Sequence, residues 1–357
     1  MIVESKRLQL SQPFYTENGD VIEKPIVAYE EYGQKEGHVV LALHGGLNSH
    51  HVAGKYAAED RKSGEWDGLI GPGKAIDTNL YRVIAPNALG SMYGTSSPLT
   101  LNPDTKQPWG ADFPNITFID MAHFHKVFLE EIGVSKVFMS AGPSMGALQS
   151  LQLAALYPDL MDSVVAVASS GRMTPSGMCM HHFIMNAMRM DPDFNEGRYE
   201  IGTPKLGLRY VHQVIMIYYT HESIVRDLCW DETSQEKRSE KARNFITPHY
   251  IEEHLQTLDP NCFIRVLNAL NSYDLAKGAS SYEKGVQRIQ CPVLMMNVDT
   301  DQEFPPYWAE EVANILNQKN PGQAEAITIR SKWGHAGCLK EMQTMGEHIK
   351  AFIKRIS

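Results

Sequence analysis

The segment Gly142-Pro143-Ser144-Met145-Gly146 constrains this chain more than any other, because it joins two different kinds of structure. An apolar run typical of a strand, Val137–Ser140, precedes it, and an apolar pattern at helical spacing, Met145–Leu156, follows it. The serine must then lie on a tight turn, where a side chain two residues away on either side would crowd it. The G-x-S-x-G spacing in this setting predicts a nucleophilic serine held out above a sheet, and the alternative is an ordinary strand-to-helix turn.

The rest of the chain alternates between strand-like and helical patterns. Further apolar runs typical of strands are Ile26–Tyr29, Val39–Leu43, Tyr81–Ala85, Val164–Ala168, Val293–Asn297 and Ala324–Ile329. Helical patterns also cover Met121–Ile132 and Cys338–Ile356. Strands that alternate with helices predict an α/β fold with a mostly parallel sheet.

The strand pattern is missing between about residues 173 and 289. This stretch holds the helical patterns Met178–Met190 and Leu206–Tyr219 and a polar patch, Asp231–Arg243. A helical segment of this length has the size of a small domain. The sequence therefore predicts one α/β domain, formed by residues 1–172 and 290–357, that is interrupted by a helical lid insertion at residues 173–289.

Composition restricts the partners and the compartment. The 357 residues include 33 Lys and Arg against 42 Asp and Glu, a net charge of −9, which argues against nucleic acid as a partner. The five cysteines form no C-x-x-C pair, so we expect reduced thiols in a cytoplasmic protein. No apolar run is long enough for a membrane span. The His pairs have no Asp, Glu or Cys at ligand spacing, so we expect no metal site.

A serine nucleophile needs a base and an acid, which in this architecture follow it in the order acid, then histidine. Asp299, Asp301 and Glu303 come just after the strand-like run Val293–Asn297, at the edge of the sheet where active sites lie. His335 lies in a Gly-flanked loop after the last predicted strand, which is a suitable place for the base. From position alone, all three acids remain candidates.

The negative charge that develops on a carbonyl oxygen during acyl transfer needs two backbone N–H donors. Met145 directly follows the serine and can supply one of them. Gly46 lies in His44-Gly45-Gly46-Leu47, just after an early strand, and is the candidate for the other. A plain glycine turn is the alternative explanation for this second segment.

Several segments together resemble the homoserine O-acetyltransferase family of α/β-hydrolase-fold enzymes. These segments are Gly64–Pro98, Trp109–Pro114, Met190–Phe194, Asp299–Pro306, His51–Gly54 and the Ser144 turn, and the resemblance covers most of the chain. It implies Ser144 as nucleophile, His335 as base and Asp301 as the orienting acid, because the family's acid stands three residues before Phe-Pro-Pro. It also implies a helical lid and a homodimer formed through that lid.

The resemblance further implies a ping-pong acyl transfer between small-molecule substrates. An acyl-CoA co-substrate would acylate Ser144, and a hydroxyl acceptor would then take the acyl group, with no bound cofactor. His335 would accept the serine proton first and activate the acceptor afterwards.

The chain departs from the family at two positions that hold homoserine. Ala336 stands where those enzymes carry an Asp after the catalytic His, and His212 aligns with an Arg of the lid. Arg209 lies about one helical turn away from that position. Leu47, His212, Tyr219 and Arg209 are the candidate substrate-binding residues.

The catalytic residues are retained while both charged anchors are replaced, which predicts an intact acyl chemistry and an acceptor other than, or less strictly defined than, homoserine. The alternative is a carboxylesterase on the same scaffold, in which water takes the acyl group. A non-catalytic binding protein is disfavoured, because Ser144, Asp301 and His335 are all present.

Overall fold

A sheet of eight strands forms the centre of the molecule. The computed structural model describes residues 1–230, 234–249 and 251–357. In spatial order the sheet contains β1 (Lys6–Gln9), β4 (Ile26–Gly33), β8 (Tyr81–Pro86), β5 (His38–Ala42), β9 (Met139–Pro143), β10 (Val164–Val167), β11 (Val293–Val298) and β12 (Ala324–Ile329). Two small pairs lie outside it, β2 (Phe14–Tyr15) with β3 (Val21–Ile22) and β6 (Ile70–Gly71) with β7 (Ile76–Asp77).

The sheet is mostly parallel, as the sequence predicts. Strand β4 pairs antiparallel with both β1 and β8, and every other neighbouring pair is parallel. Successive residues of the inner strands alternate between two buried cores, so that Val164 and Ala166 face one core while Val165 and Val167 face the other. Such strands are buried on both faces, which explains why they read as continuous apolar runs.

Helices cover both faces of the sheet. Helices α1 (Phe118–Glu131), α2 (Met145–Leu156) and α10 (Pro306–Lys319) contribute to one core, and α12 (Met342–Ile356) contributes to the other. Thr117 caps α1 through a capping box with Asp120, which fixes the start of that helix.

Several predicted boundaries differ from the observed ones by a few residues, among them the two that follow. The strand predicted at Val137–Ser140 is β9, which runs to Pro143, while Val137 makes only an isolated bridge to Met161. The predicted helix Cys338–Ile356 is broken at Glu341 into α11 (Gly337–Lys340) and α12, because the backbone leaves the helical conformation there. Apolar periodicity continues across both boundaries, so it could not reveal them.

The described residues between β10 and β11 form helices and no named strand. They are α3 (Pro175–Arg189), α4 (Leu206–Tyr218), α5 (Glu222–Cys229), α6 (Gln235–Ile246), α7 (Ile251–Leu255), α8 (Pro260–Asn271) and α9 (Tyr282–Val286). The first part of the predicted polar patch, residues 231–233, lies outside the described residues. Within the described ranges, no helix combines the length and the apolar character needed to cross a membrane.

Candidate active site

Ser144 lies on a strained turn between β9 and α2. Its backbone has a φ of 51° and a ψ of −122°, a conformation that residues other than glycine rarely adopt. A Cβ atom at Gly142 would come within 2.3 Å of the Leu43 carbonyl oxygen, and one at Gly146 within 2.0 Å. Both flanking glycines are therefore required, but the cause is the close approach of the Leu43 carbonyl and not the crowding of the serine that the sequence suggests.

The structure brings Ser144, His335 and Asp301 into one line of hydrogen bonds. His335 Nε2 lies 3.0 Å from Ser144 Oγ, and His335 Nδ1 lies 2.8 Å from Asp301 Oδ2. The other oxygen of Asp301 accepts the backbone N–H groups of Glu303 (2.8 Å) and Phe304 (3.1 Å). These two bonds fix the carboxylate, so that it can hold the imidazole with Nε2 directed at the serine.

The electrostatic surroundings favour the protonated form of His335. Burial alone lowers the pKa of this imidazole, but the negative charges of Asp301 and Glu303 outweigh burial and raise the pKa to about 9. The aromatic rings of Tyr219 and Phe304 lie 4.7 Å and 5.8 Å from the imidazole, measured between ring centroids. The base is thus enclosed by two carboxylates and two aromatic side chains.

The three candidate acids occupy different places. Only Asp301 bonds His335 Nδ1, while Asp299 accepts the backbone N–H of Ser331 at 3.0 Å. Glu303 lies on the opposite side of the imidazole, with Oε2 at 3.7 Å from His335 Nε2. From the sequence, Glu303 is only an alternative to Asp301, because a sequence does not show on which side of the His335 imidazole a carboxylate lies.

The loop after β5 runs beside the serine. Gly46 lines the cavity at Ser144, and a Cβ atom built on it would lie 4.0 Å from the Cβ of Met145. His44 supports this loop, because its Nδ1 bonds the Gly45 carbonyl at 2.8 Å and its Nε2 accepts the N–H of Ala88 at 3.0 Å. Complete burial lowers the pKa of His44 to about 3, so its ring is neutral, as both bonds require.

Ser144 and His335 open into a cavity of about 230 Å³. Its apolar wall is formed mainly by Ile184, Ile215, Phe263, Leu267, Leu270 and Leu339. Leu47 and Tyr219 also line it, as do Asn48, His181 and Glu303. The described residues include no cluster of three or more His, Cys, Asp or Glu side chains that could hold a metal ion.

Two of the candidate substrate-binding residues lie away from this cavity. Arg209 forms an ion pair with Glu252 of α7, with 2.6 Å between Nη2 and Oε1, and His212 is buried on α4. Neither is among the lining residues, because α4 faces the cavity only with its last turn, from Ile215 to Tyr219. The structure therefore does not bring His212 and Arg209 together with Ser144 in this cavity.

Comparison with known proteins agrees with this architecture. Residues 38–341 match the family described as alpha/beta hydrolase fold. A homoserine O-acetyltransferase of Moorella thermoacetica is 32% identical over 377 aligned positions, which cover 99% of this chain and 97% of that protein. A homoserine O-acetyltransferase of Carboxydothermus hydrogenoformans is 31% identical over 100% of this chain and 96% of its own length.

Solved structures of both enzyme classes superpose on the chain. The homoserine O-acetyltransferase from Bacillus anthracis has a TM-score of 0.89 and 27% identity, covering 99% of this chain and 98% of its own. Esterase E22 has the same TM-score at 25% identity, covering 98% of this chain and 100% of its own. The predicted α/β-hydrolase fold is confirmed, and the chain belongs to the α/β-hydrolase-fold family of acyltransferases and ester hydrolases that includes the homoserine O-acetyltransferases.

Proposed function

We propose that the protein is a serine acyl-transfer enzyme that passes an acyl group through Ser144. The observation that carries this proposal is the hydrogen-bonded line from Ser144 Oγ through His335 to Asp301, in the wall of a largely apolar cavity. In the first step His335 Nε2 accepts the serine proton while Oγ attacks the carbonyl carbon. Asp301 keeps the proton on Nδ1 and stabilises the imidazolium that forms.

The negative oxygen of the tetrahedral intermediate would be held by the N–H groups of Gly46 and Met145. Both residues border Ser144, and the N-terminal end of α2 adds a favourable dipole at the same place. His335 then returns its proton to the leaving group, and acyl-Ser144 remains. In the second step the same imidazole takes a proton from the acceptor, which attacks the acyl carbon and restores the serine.

The donor that we propose is an acyl-CoA with a short acyl chain, in a ping-pong reaction. A largely apolar cavity of about 230 Å³ suits a small acyl group. The acceptor in a transferase reaction would be an alcohol other than homoserine. Among the described residues that line the cavity there is no Lys or Arg for the homoserine carboxylate, and Ala336 offers no charge to its ammonium group.

The second candidate function is hydrolysis of small esters, in which water is the acceptor. It uses the same three catalytic residues, and the likeness to esterase E22, whose TM-score equals that of the Bacillus anthracis homoserine O-acetyltransferase, supports it. The residues around the acceptor position, rather than Ser144, His335 and Asp301, must decide between the two.

Intact-protein mass spectrometry tests acyl-Ser144 directly. We expect the wild type to gain one acyl group from acetyl-CoA, succinyl-CoA or 4-nitrophenyl acetate, and Ser144→Ala to gain none. An unchanged adduct on Ser144→Ala would refute the mechanism. Homoserine added to the acetylated wild type should not accelerate loss of the adduct.

A pair of aspartate variants tests the assignment of the acid. Asp301→Asn should lower kcat by about 10³-fold or more, because it favours the wrong tautomer of His335. Asp299→Asn is the matched control and should retain activity, because an amide oxygen can still accept the Ser331 N–H. Equal losses in the two variants would contradict the assignment.

We also propose that the helices at 173–289 act as a lid over the α/β domain of residues 1–172 and 290–357, and that two copies associate through it. Phe183, Met190, Tyr210 and Ile217 leave large apolar surfaces exposed on α3, on α4 and at the end of α3. Surfaces of this kind are typical of subunit contacts.

A cytoplasmic location is proposed from the reduced, widely spaced thiols.

A further inference from the structure

Glu303 places a second buried carboxylate inside the cavity. Its side chain is 4% exposed. Its backbone N–H donates to the Asp301 carboxylate, which fixes the position of Glu303 beside the catalytic acid. A buried carboxylate is costly unless polar partners compensate it, so its presence in a mainly apolar cavity requires an explanation.

The two oxygens of Glu303 have different surroundings. Oε1 lies 3.4 Å from Nε2 of His181 on α3, and His181 Nδ1 lies 2.7 Å from Asn271 Oδ1 on α8. The hydroxyl of Tyr219 bonds the same carboxylate, and burial together with the charge of Glu303 and this bond raises the pKa of that hydroxyl. Within the described part of the chain, Oε2 makes no hydrogen bond.

The free oxygen faces the atom that activates the acceptor. His335 Nε2 lies 3.0 Å from Ser144 Oγ and 3.7 Å from Glu303 Oε2. The distance of 3.7 Å lets a single oxygen atom about 2.8 Å from each of the two atoms bond both at once, when it displaces the side chains that cover Oε2 in the structure. This position lies beside Ser144, where the acceptor must approach the acyl carbon.

Water and an alcohol differ in what they can offer at this position. Water has two O–H groups, so it can give one proton to His335 while it donates the other to Glu303. An alcohol has one O–H group, which must serve His335, and its carbon chain would leave Glu303 desolvated and unpaired.

We propose that Glu303, held by His181, positions water for attack on acyl-Ser144 and disfavours alcohols, so that the enzyme works chiefly as a hydrolase of small esters. This inference rests on the proposed acyl-Ser144. In the step itself the water oxygen bonds the acyl carbon while one water proton passes to His335 Nε2. The bond from the acyl carbon to Ser144 Oγ then breaks, Oγ recovers that proton, and the other water proton leaves on the carboxylic acid product.

The test is the partition of one acyl group between water and an alcohol. The enzyme would turn over 4-nitrophenyl acetate with 3,3-dimethyl-1-butanol or with choline, its cationic analogue of the same shape. The acetate ester and free acetate would be quantified by NMR. Release of 4-nitrophenol reports acylation separately, so a failure of the proposed acyl-Ser144 is visible before any ratio is measured.

We expect Glu303→Leu to raise the ratio of ester to acetate about tenfold for both alcohols, the factor that one hydrogen bond to a charged group supplies. Glu303→Gln keeps a weaker acceptor and should move the ratio in the same direction by less. Glu311→Gln is the matched control, because it removes a carboxylate of α10 outside the cavity wall and should leave the ratio unchanged.

An unchanged ratio in Glu303→Leu, or a shift towards acetate, would overturn the proposal. So would a loss of transfer to choline alone, because Glu303 would then bind a cationic acceptor rather than water. If circular dichroism shows that Glu303→Leu does not fold, Glu303→Gln decides. A ratio increased by about twofold or more supports the proposal, and an unchanged ratio refutes it.

Discussion

At the scale of single residues, Ser144 and His335 can be selected from the sequence pattern, whereas only the family resemblance separates Asp301 from Asp299 and Glu303. The side chains of Ser144, Asp301 and His335 meet in the structure. The G-x-S-x-G turn, the acid before Phe-Pro-Pro and the histidine after the last strand are short local patterns, so they can be recognised without the structure. The position of Glu303 could not be predicted. It depends on the turn after β11 and on the approach of His181 from a helix more than 100 residues away in the chain.

The charges around His335 predict an unusual pH profile. This imidazole has a pKa of about 9 and must be neutral to accept the serine proton, so kcat/KM should rise with pH up to about 9. The groups that face it are Asp301, Glu303, Ser144 and the rings of Tyr219 and Phe304. Glu303→Gln removes a negative charge and should lower the midpoint of the rise by about one pH unit.

This profile would be measured as kcat/KM for 4-nitrophenyl acetate between about pH 6 and pH 10. Glu311→Gln serves again as the control and should keep the wild-type midpoint. A midpoint that stays in place in Glu303→Gln would show that Glu303 does not act on the charge of His335.

At the scale of elements, the core strands and α2 follow directly from apolar periodicity, whereas the orientation of α4 does not. Leu206–Tyr218 has apolar residues over much of its surface, so its sequence does not reveal which turn reaches the cavity. In the structure only the last turn does, which leaves Arg209 and His212 outside the cavity wall. Rotation and tilt of a helix are set by its packing partners, and those are remote in sequence.

At the junction of β9 and α2, adding one methyl group to Gly146 should lower stability strongly. Gly146→Ala would place a Cβ atom 2.0 Å from the Leu43 carbonyl oxygen, where backbone must move. We expect the free energy of unfolding, measured by urea titration, to fall by about 3 kcal/mol, with loss of acylation.

Gly346→Ala in α12 is the matched substitution. Its Cβ would make ordinary contacts with Leu69 and Ala75, at 3.4 Å and 3.6 Å, so the better helix propensity of alanine should raise stability by up to about 1 kcal/mol. Similar losses in both variants would argue against the close approach at Gly146.

At the scale of the whole molecule, the sequence predicts a parallel α/β sheet interrupted by helices, and the eight-stranded sheet agrees with the sheet part of this prediction. The division into an α/β domain and a lid stays a prediction, as does the dimer. In the proposed dimer, contacts between copies would use the outer surfaces of α3 and α4, and composition does not reveal such surfaces.

The exposed apolar face of these helices gives the dimer a direct test. Light scattering coupled to size exclusion should show two copies for the wild type and one for Tyr210→Glu combined with Ile217→Glu, because buried unpaired charge opposes association. Leu80→Glu, at an exposed leucine outside the lid, is the control and should remain dimeric. A wild type that elutes as a monomer would refute the proposed dimer.

The loop that carries His335 is fastened to the end of α4. The N–H of Ala336 donates to the Tyr219 carbonyl at 3.1 Å, and a Cβ atom at Gly334 would meet that carbonyl at 2.9 Å. The histidine that must accept and return the proton is therefore held by the end of α4 as well as by the sheet from which its loop emerges. A shortened version of the enzyme without these helices would lose one wall of its cavity. It would also lose the contact with Tyr219 that holds the His335 loop in place.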